Sequence, residues 1–304
     1  MRGWIQREAT LYGEGPAMLQ FEIIVAGSYE LLEAPRVGES NLLYFSEIGH
    51  FIDPARGALY RRTADGTVQK LLDRKHIGGL VLAEGGGVVL TGSDLAFWSE
   101  AAGEVRVLFS SYEGRKVSRF NDLTTDSRGC VFVGSVNSAP PDGGKRPPGE
   151  LYRVDPGGKV TMLWDGIEFS NGLGFSPDER LLYHCDTFTN AVWAYDVRPD
   201  RTLADRRIFA RLDSAPDGLA VDVEGGVWVA CPSSGELLRF RADATPDLRQ
   251  KVWDGMVMSL AFGGSDLQDL YVTTGININV KALTGTVRRA RSQVPGAPVH
   301  KARL

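Results

Sequence analysis

The feature that most limits what this chain can fold into is a repeated hairpin. Segments starting at residues 34, 79, 122, 172, 218 and 259 each read as an apolar strand, a polar or glycine turn and a more strongly apolar strand. Examples are 79-GLVLAEGGGVVLTG, 122-DLTTDSRGCVFVGS and 218-GLAVDVEGGVWVAC. Successive starts lie 41 to 50 residues apart, and second hairpins such as 59-LYRRTADGTVQKLL and 151-LYRVDPGGKVTMLW fill the intervals. Four antiparallel strands per unit of this length, repeated six times, predict an all-β, six-bladed β-propeller. The stretch 21-FEIIVAGSY has no hairpin partner of its own, so it is expected to close the ring as the outer strand of the blade ended by 284-TGTVRRARS. Residues 1–20 then form an N-terminal extension and 21–304 a single domain.

Composition agrees and excludes some functions. A 304-residue chain that is 43% hydrophobic can bury a large core. Its net charge of −4 provides no basic field for nucleic acid. No run of about 18 apolar residues predicts a membrane span, and the first residues lack a signal-peptide core, so a cytoplasmic protein is expected. Cys130, Cys185 and Cys231 lie in apolar strand-like runs without a CxxC spacing, and read as small packed hydrophobes.

The repeat also predicts proximity, because equivalent positions in different blades lie at the same depth around the propeller axis. The residues immediately before the six starts are Glu33, Gly78, Asn121, Asn171, Asp217 and Met258. Four of these carry side-chain oxygens, and gathering them at one axis without a partner would be costly. A hard divalent cation satisfies all four: Ca²⁺ first, with Mn²⁺, Mg²⁺, Fe²⁺ or Zn²⁺ as alternatives. The absence of His and Cys from the set argues against a structural zinc. Taken singly, Asn171-Gly172 and 216-PDG-218 are turn signals; Glu33 and Asn121 are not. Glu14, in 13-GEGP-16, lies outside the repeat and lacks the apolar strand that follows Glu33. Asp126 and Asp222 fall within turns at the opposite end of the channel and read as turn formers. His50, His76, His184 and His300 show no metal-ligand spacing.

The elements 31-LLEAPR-36, 119-RFND-122, 170-SNGLGFSPD-178, 216-PDGLAVDVEGGVWVA-230 and 262-FGG-264 before 270-LYVTT-274 occur in an order that resembles the senescence marker protein, gluconolactonase and regucalcin family of propeller hydrolases. The resemblance covers residues 22 to 304. It implies a cation on Glu33, Asn171 and Asp217, with Asn121 as a fourth ligand or substrate contact, Arg119 as a substrate contact and Asp217 as general base. The implied reaction is the opening of a lactone, a small-molecule cyclic ester, by water. The sequence departs from the sugar-lactone members at Ala34, where glycine is expected, and near Asn137 to Ala139, where some members carry an acid. Loops joining second to third strands should form the pocket rim, which places His50, Phe51, Asn137 and Asp186 as further substrate contacts and makes 47–57 and 136–150 candidate lids. Phe51 suggests a substrate more apolar than a sugar. Two other readings share these residues: a phosphotriesterase-like calcium hydrolase, and a calcium-binding or docking propeller without turnover.

Overall fold

The computed structural model describes residues 18–304 apart from 140–143, 278 and 281. Glu14 and most of the N-terminal extension therefore lie outside the described residues. Among the described residues are six four-stranded antiparallel sheets and one separate two-stranded hairpin. The sheets are the blades of a propeller. Blade 1 comprises Leu31–Val37, Leu43–Ile48, Gly57–Arg62 and Val68–Asp73. The inner strands of blades 2 to 6 are Leu80–Leu82, Phe120–Thr125, Ser170–Phe175, Leu219–Val221 and Val257–Gly263.

Ring closure follows the sequence-based expectation. Blade 6 takes its outer strand from Glu22–Ala26, which pairs with Thr286–Arg291 at the other end of the chain. Glu22 lies opposite Arg289 and accepts a hydrogen bond of 2.8 Å from its Nε.

Each junction between neighbouring blades has its own apolar core. Successive strand residues point to opposite faces, so Val227, Val229 and Cys231 pack with blade 4 while Trp228 and Ala230 pack with blade 6. In the same way Val131 and Val133 face blade 2, and Phe132 faces blade 4. A blade covered on both sides has no polar face along its middle strands, hence the continuous apolar runs. All three cysteines are free and buried within these cores.

The two ends of the channel differ. Inner strands start at the end that carries Asn121, Asn171 and Asp217, and finish in turns at the other. There Asp126 accepts from the N–H groups of Arg128 and Cys130, and Asp222 from those of Glu224 and Gly226, so both are turn formers. The C-terminal segment laces these turns together: Ala297 N–H donates to Val221, Ala302 to Leu82 and Arg303 to Gly129. No helix among the described residues is long and apolar enough to cross a membrane.

Candidate active site

The repeat position that gathers the oxygen side chains has a backbone cause. In four blades the pairing between inner and second strands shifts register there: between Glu33 and Arg36, Phe120 and Leu123, Ser170 and Leu173, and Val257 and Ser259. Such bulges raise the local twist and re-aim a side chain. Asn121 and Asn171 lie inside two of these shifts and Glu33 at the edge of a third. Asp217 stands just ahead of its short inner strand.

Hydrogen bonds and charge coupling tie the four together. Asn121 Nδ2 donates to Asn171 Oδ1 at 3.1 Å and to the Ser170 carbonyl at 2.8 Å. Asn171 Nδ2 donates in turn to Thr187 Oγ1, whose hydroxyl donates to the Pro216 carbonyl beside Asp217. The Asn171 amide also lies close enough to the Asp217 carboxylate to favour its charged form. Glu33 and Asp217 are buried, 6% and 7% exposed. Burial, followed by repulsion from Asp217 and Asp122, pushes the Glu33 carboxyl well above its usual range. Burial and Asp122 do the same to Asp217, against the effect of the Asn171 amide.

Gly78, at the same position in blade 2, carries no side chain for a reason visible here. A Cβ on it would lie 2.2 Å from Asn121 Oδ1, so the amide oxygen fills that space. Ala34 has φ of +49°, in the left-handed region that glycine enters freely. The alanine thus takes a conformation suited to the glycine that the resemblance expects at this point.

Two buried groups were not singled out in the sequence. Asp122 is pushed up to about 6 by burial, opposed by Arg36 and by the Leu123 N–H. Arg36 is itself buried, and its Nε has no hydrogen-bond partner. The signal for Asp122 was the pair Asn-Asp ahead of an apolar strand, since only a bulge accommodates both inside. Asp122 is the carboxylate that interacts with Arg36, whereas Glu33 and Asp217 are raised by burial and by neighbouring carboxylates, a repulsion that a divalent cation would relieve. The donor set, two carboxylates and two amides, suits a hard cation. Among the described residues no three His, Cys, Asp or Glu side chains form a ready-made metal group, in keeping with a set that is half amide.

Above these residues opens a pocket of 760 Å³. Asn171 and Asp217 form part of its lining, as do Arg119, His50, Phe51 and Asn137. Asp186 is placed elsewhere: it is fully buried, accepts from the N–H groups of Glu168 and Phe169, and lies 3.7 Å from Arg206. The loop bearing His50 and Phe51 is clasped by the buried carboxylate of Glu30, which accepts from the backbone N–H groups of His50, Phe51, Ile52 and Asp53. Burial raises the Glu30 carboxyl, but these four donors outweigh it and hold the group below its usual range. Asn137 Nδ2 donates to the Pro148 carbonyl at 2.7 Å and so pins the base of its own loop. The pocket also includes His76, Arg146, Phe169 and Phe188, which the repeat pattern did not indicate.

Residues 33–276, beginning at Glu33 itself, match the family described as the SMP-30/Gluconolactonase/LRE-like region. The chain belongs to this family. Among family relatives, a 6-deoxy-6-sulfogluconolactonase of Pseudomonas putida is 32% identical over 82% of this chain and 89% of its own. Regucalcin of Bos taurus is 30% identical over 77% of this chain and 79% of its own. The fold is shared with a luciferin-regenerating enzyme, TM-score 0.81 at 22% identity, over 94% of this chain and 100% of that one.

Proposed function

We infer that the protein hydrolyses a lactone, with a divalent cation held by Glu33, Asn121, Asn171 and Asp217. The observation that carries this reading is the convergence of buried carboxylates and amides directly beneath a pocket large enough for a small cyclic ester. Family relatives named as lactonases support the reaction class.

When bound, the cation supplies Lewis acidity to the ester carbonyl and positive charge near the attacking water. The protein's own groups do the rest. Asp217 belongs both to the oxygen set and to the pocket lining, so its carboxylate is placed to take the proton of the attacking water. The Asn171 amide favours the charged form of that carboxylate, and Thr187 holds Asn171. Water adds to the carbonyl carbon, the ring C–O bond breaks, and the proton taken by Asp217 passes to the departing ring oxygen. The product is a hydroxy acid. Arg119 contacts the substrate from the rim.

The test is hydrolysis of γ- and δ-lactones followed by pH-stat, after chelation and after return of Ca²⁺, Mn²⁺, Mg²⁺, Fe²⁺ or Zn²⁺ singly. Activity lost on chelation and restored by one cation is expected. A cation-loaded protein inert towards every lactone but active on a phosphotriester would replace this reading with the phosphotriesterase one; inertness towards both would favour a non-catalytic propeller.

A further inference from the structure

Among the described residues, two arginines on the pocket wall lack the carboxylate partners that many arginines of this protein have. Partly buried guanidinium groups are generally matched to carboxylates, as Arg74 is to Asp94, Arg153 to Asp155 and Arg239 to Asp222. Arg146 is different. Its guanidinium carbon lies 5.2 Å from the ring centre of Phe169 and 5.0 Å from that of Phe188, and its Nε and Nη1 are buried without a hydrogen bond. Stacking engages the faces of a guanidinium and leaves its in-plane N–H donors free.

Arg119, on the same wall, forms no side-chain hydrogen bond or ion pair among the described residues, and it is close enough to Arg146 to feel its charge. His50 and His76 also border the space, and the one carboxylate in the described lining is Asp217, already committed to the oxygen set. A pocket wall with two guanidinium groups that have no carboxylate partner among the described residues, and with Asp217 as its one described carboxylate, is complementary to an anion.

We propose that Arg119 and Arg146 form an oxyanion subsite, so that the lactone taken by this pocket carries a second, negatively charged group away from its ring carbonyl. The lactone part of this statement rests on the function inferred above; the subsite itself does not require turnover. Carboxylate, sulfonate and phosphate share the necessary chemistry. The two phenylalanines hold Arg146 against its neighbour's like charge, and the substrate's anion relieves that repulsion on binding.

The experiment compares charged and neutral lactones on the wild-type, Arg146→Gln and Arg146→Lys proteins. Glucaro-1,4-lactone, with its free carboxylate, is set against glucono-1,4-lactone, and 6-phosphoglucono-1,5-lactone against glucono-1,5-lactone. Each charged member should be favoured in kcat/KM by about tenfold or more, mainly through KM, and the margin should shrink in high salt. Arg146→Gln should erase about ten- to a hundredfold more from the charged member of each pair than from the neutral one. Arg146→Lys, which keeps the charge but loses the fork, should retain part of the preference. The pair with the wider margin distinguishes carboxylate from phosphate.

Calorimetry on the cation-free protein supplies a readout without turnover. Glucarate or 6-phosphogluconate should bind the wild type more tightly than the uncharged polyol glucitol, and Arg146→Gln should abolish the difference. Turnover of neutral lactones with no charged preference overturns the subsite and leaves the lactone reading intact. No turnover of any lactone, with differential binding that depends on Arg146, keeps the subsite and overturns the lactone reading. Absence of both turnover and differential binding overturns both.

Discussion

Replacing His184 by glutamine should remove about 2 kcal/mol of acid sensitivity from the protein between pH 7.5 and pH 5. His184 is fully buried in the second strand of blade 4, with Nε2 2.8 Å from Ser170 Oγ and no hydrogen-bond partner on Nδ1. Burial, followed by the charge of Arg206, lowers its pKa from 6.5 to about 3. A folded-state value below the unfolded one means that the unfolded chain takes up the proton first. The contribution of His184 to stability is therefore complete above pH 6.5 and is lost as pH falls towards 3. At about 1.36 kcal/mol per pH unit, the loss reaches about 2 kcal/mol by pH 5. Glutamine can keep a hydrogen bond to Ser170 but has nothing to titrate. The measurement is urea unfolding of both proteins at pH 7.5 and pH 5, read by tryptophan fluorescence. Asp122, raised to about 6, titrates in the same window with the opposite sign, but it is common to both proteins and cancels in the difference. Any stability that glutamine costs equally at both pH values drops out of the comparison. Parallel pH profiles for the two proteins would refute the reasoning, because they would mean that His184 takes its proton in the fold as easily as in the unfolded chain.

Glu33→Gln and Asp217→Asn should each cut lactone turnover by about a hundred- to ten-thousandfold with an unchanged β-sheet circular dichroism spectrum, and each should abolish the thermal stabilisation that the cation gives the wild type; full activity in either variant would remove that residue from the site. Gly78→Ala places a methyl group where Asn121 Oδ1 lies, so cation affinity measured by calorimetry should weaken by about ten- to a hundredfold while the blades persist. An unchanged affinity would show that Asn121 is not a ligand. Glu30→Ala strips the His50 to Asp53 loop of its acceptor and should destabilise the protein by about 3 kcal/mol. Hydrogen exchange should rise first at those four amides, and exchange rising evenly across the blade instead would assign Glu30 a different role.

The fold was legible because each blade is buried on both faces, which turns a structural period into an apolar period in the chain. The oxygen set was legible for a related reason. The same bulge recurs at the same phase in several blades, so equal positions in the repeat become neighbours in space, as the hydrogen bond from Asn121 to Asn171 demonstrates across 50 residues of sequence. Pocket residues contributed by loops obey no such phase. Arg146 lies in a connection between strands and stacks on Phe169 and Phe188, and nothing in the spacing of 136-VNSAPPDGGKRPPGE-150 marks it against Lys145 beside it. Asp186 illustrates the opposite case. As the last residue of a strand, opposite Ser170, it looks like the start of a rim loop, but its carboxylate turns inward to the N–H groups of Glu168 and Phe169. It shapes the wall by fixing the backbone of Phe169, and Phe169 in turn supports Arg146. Substitution of Asp186 would thus be felt at the anion-facing wall through two intermediates, without that side chain ever meeting the substrate.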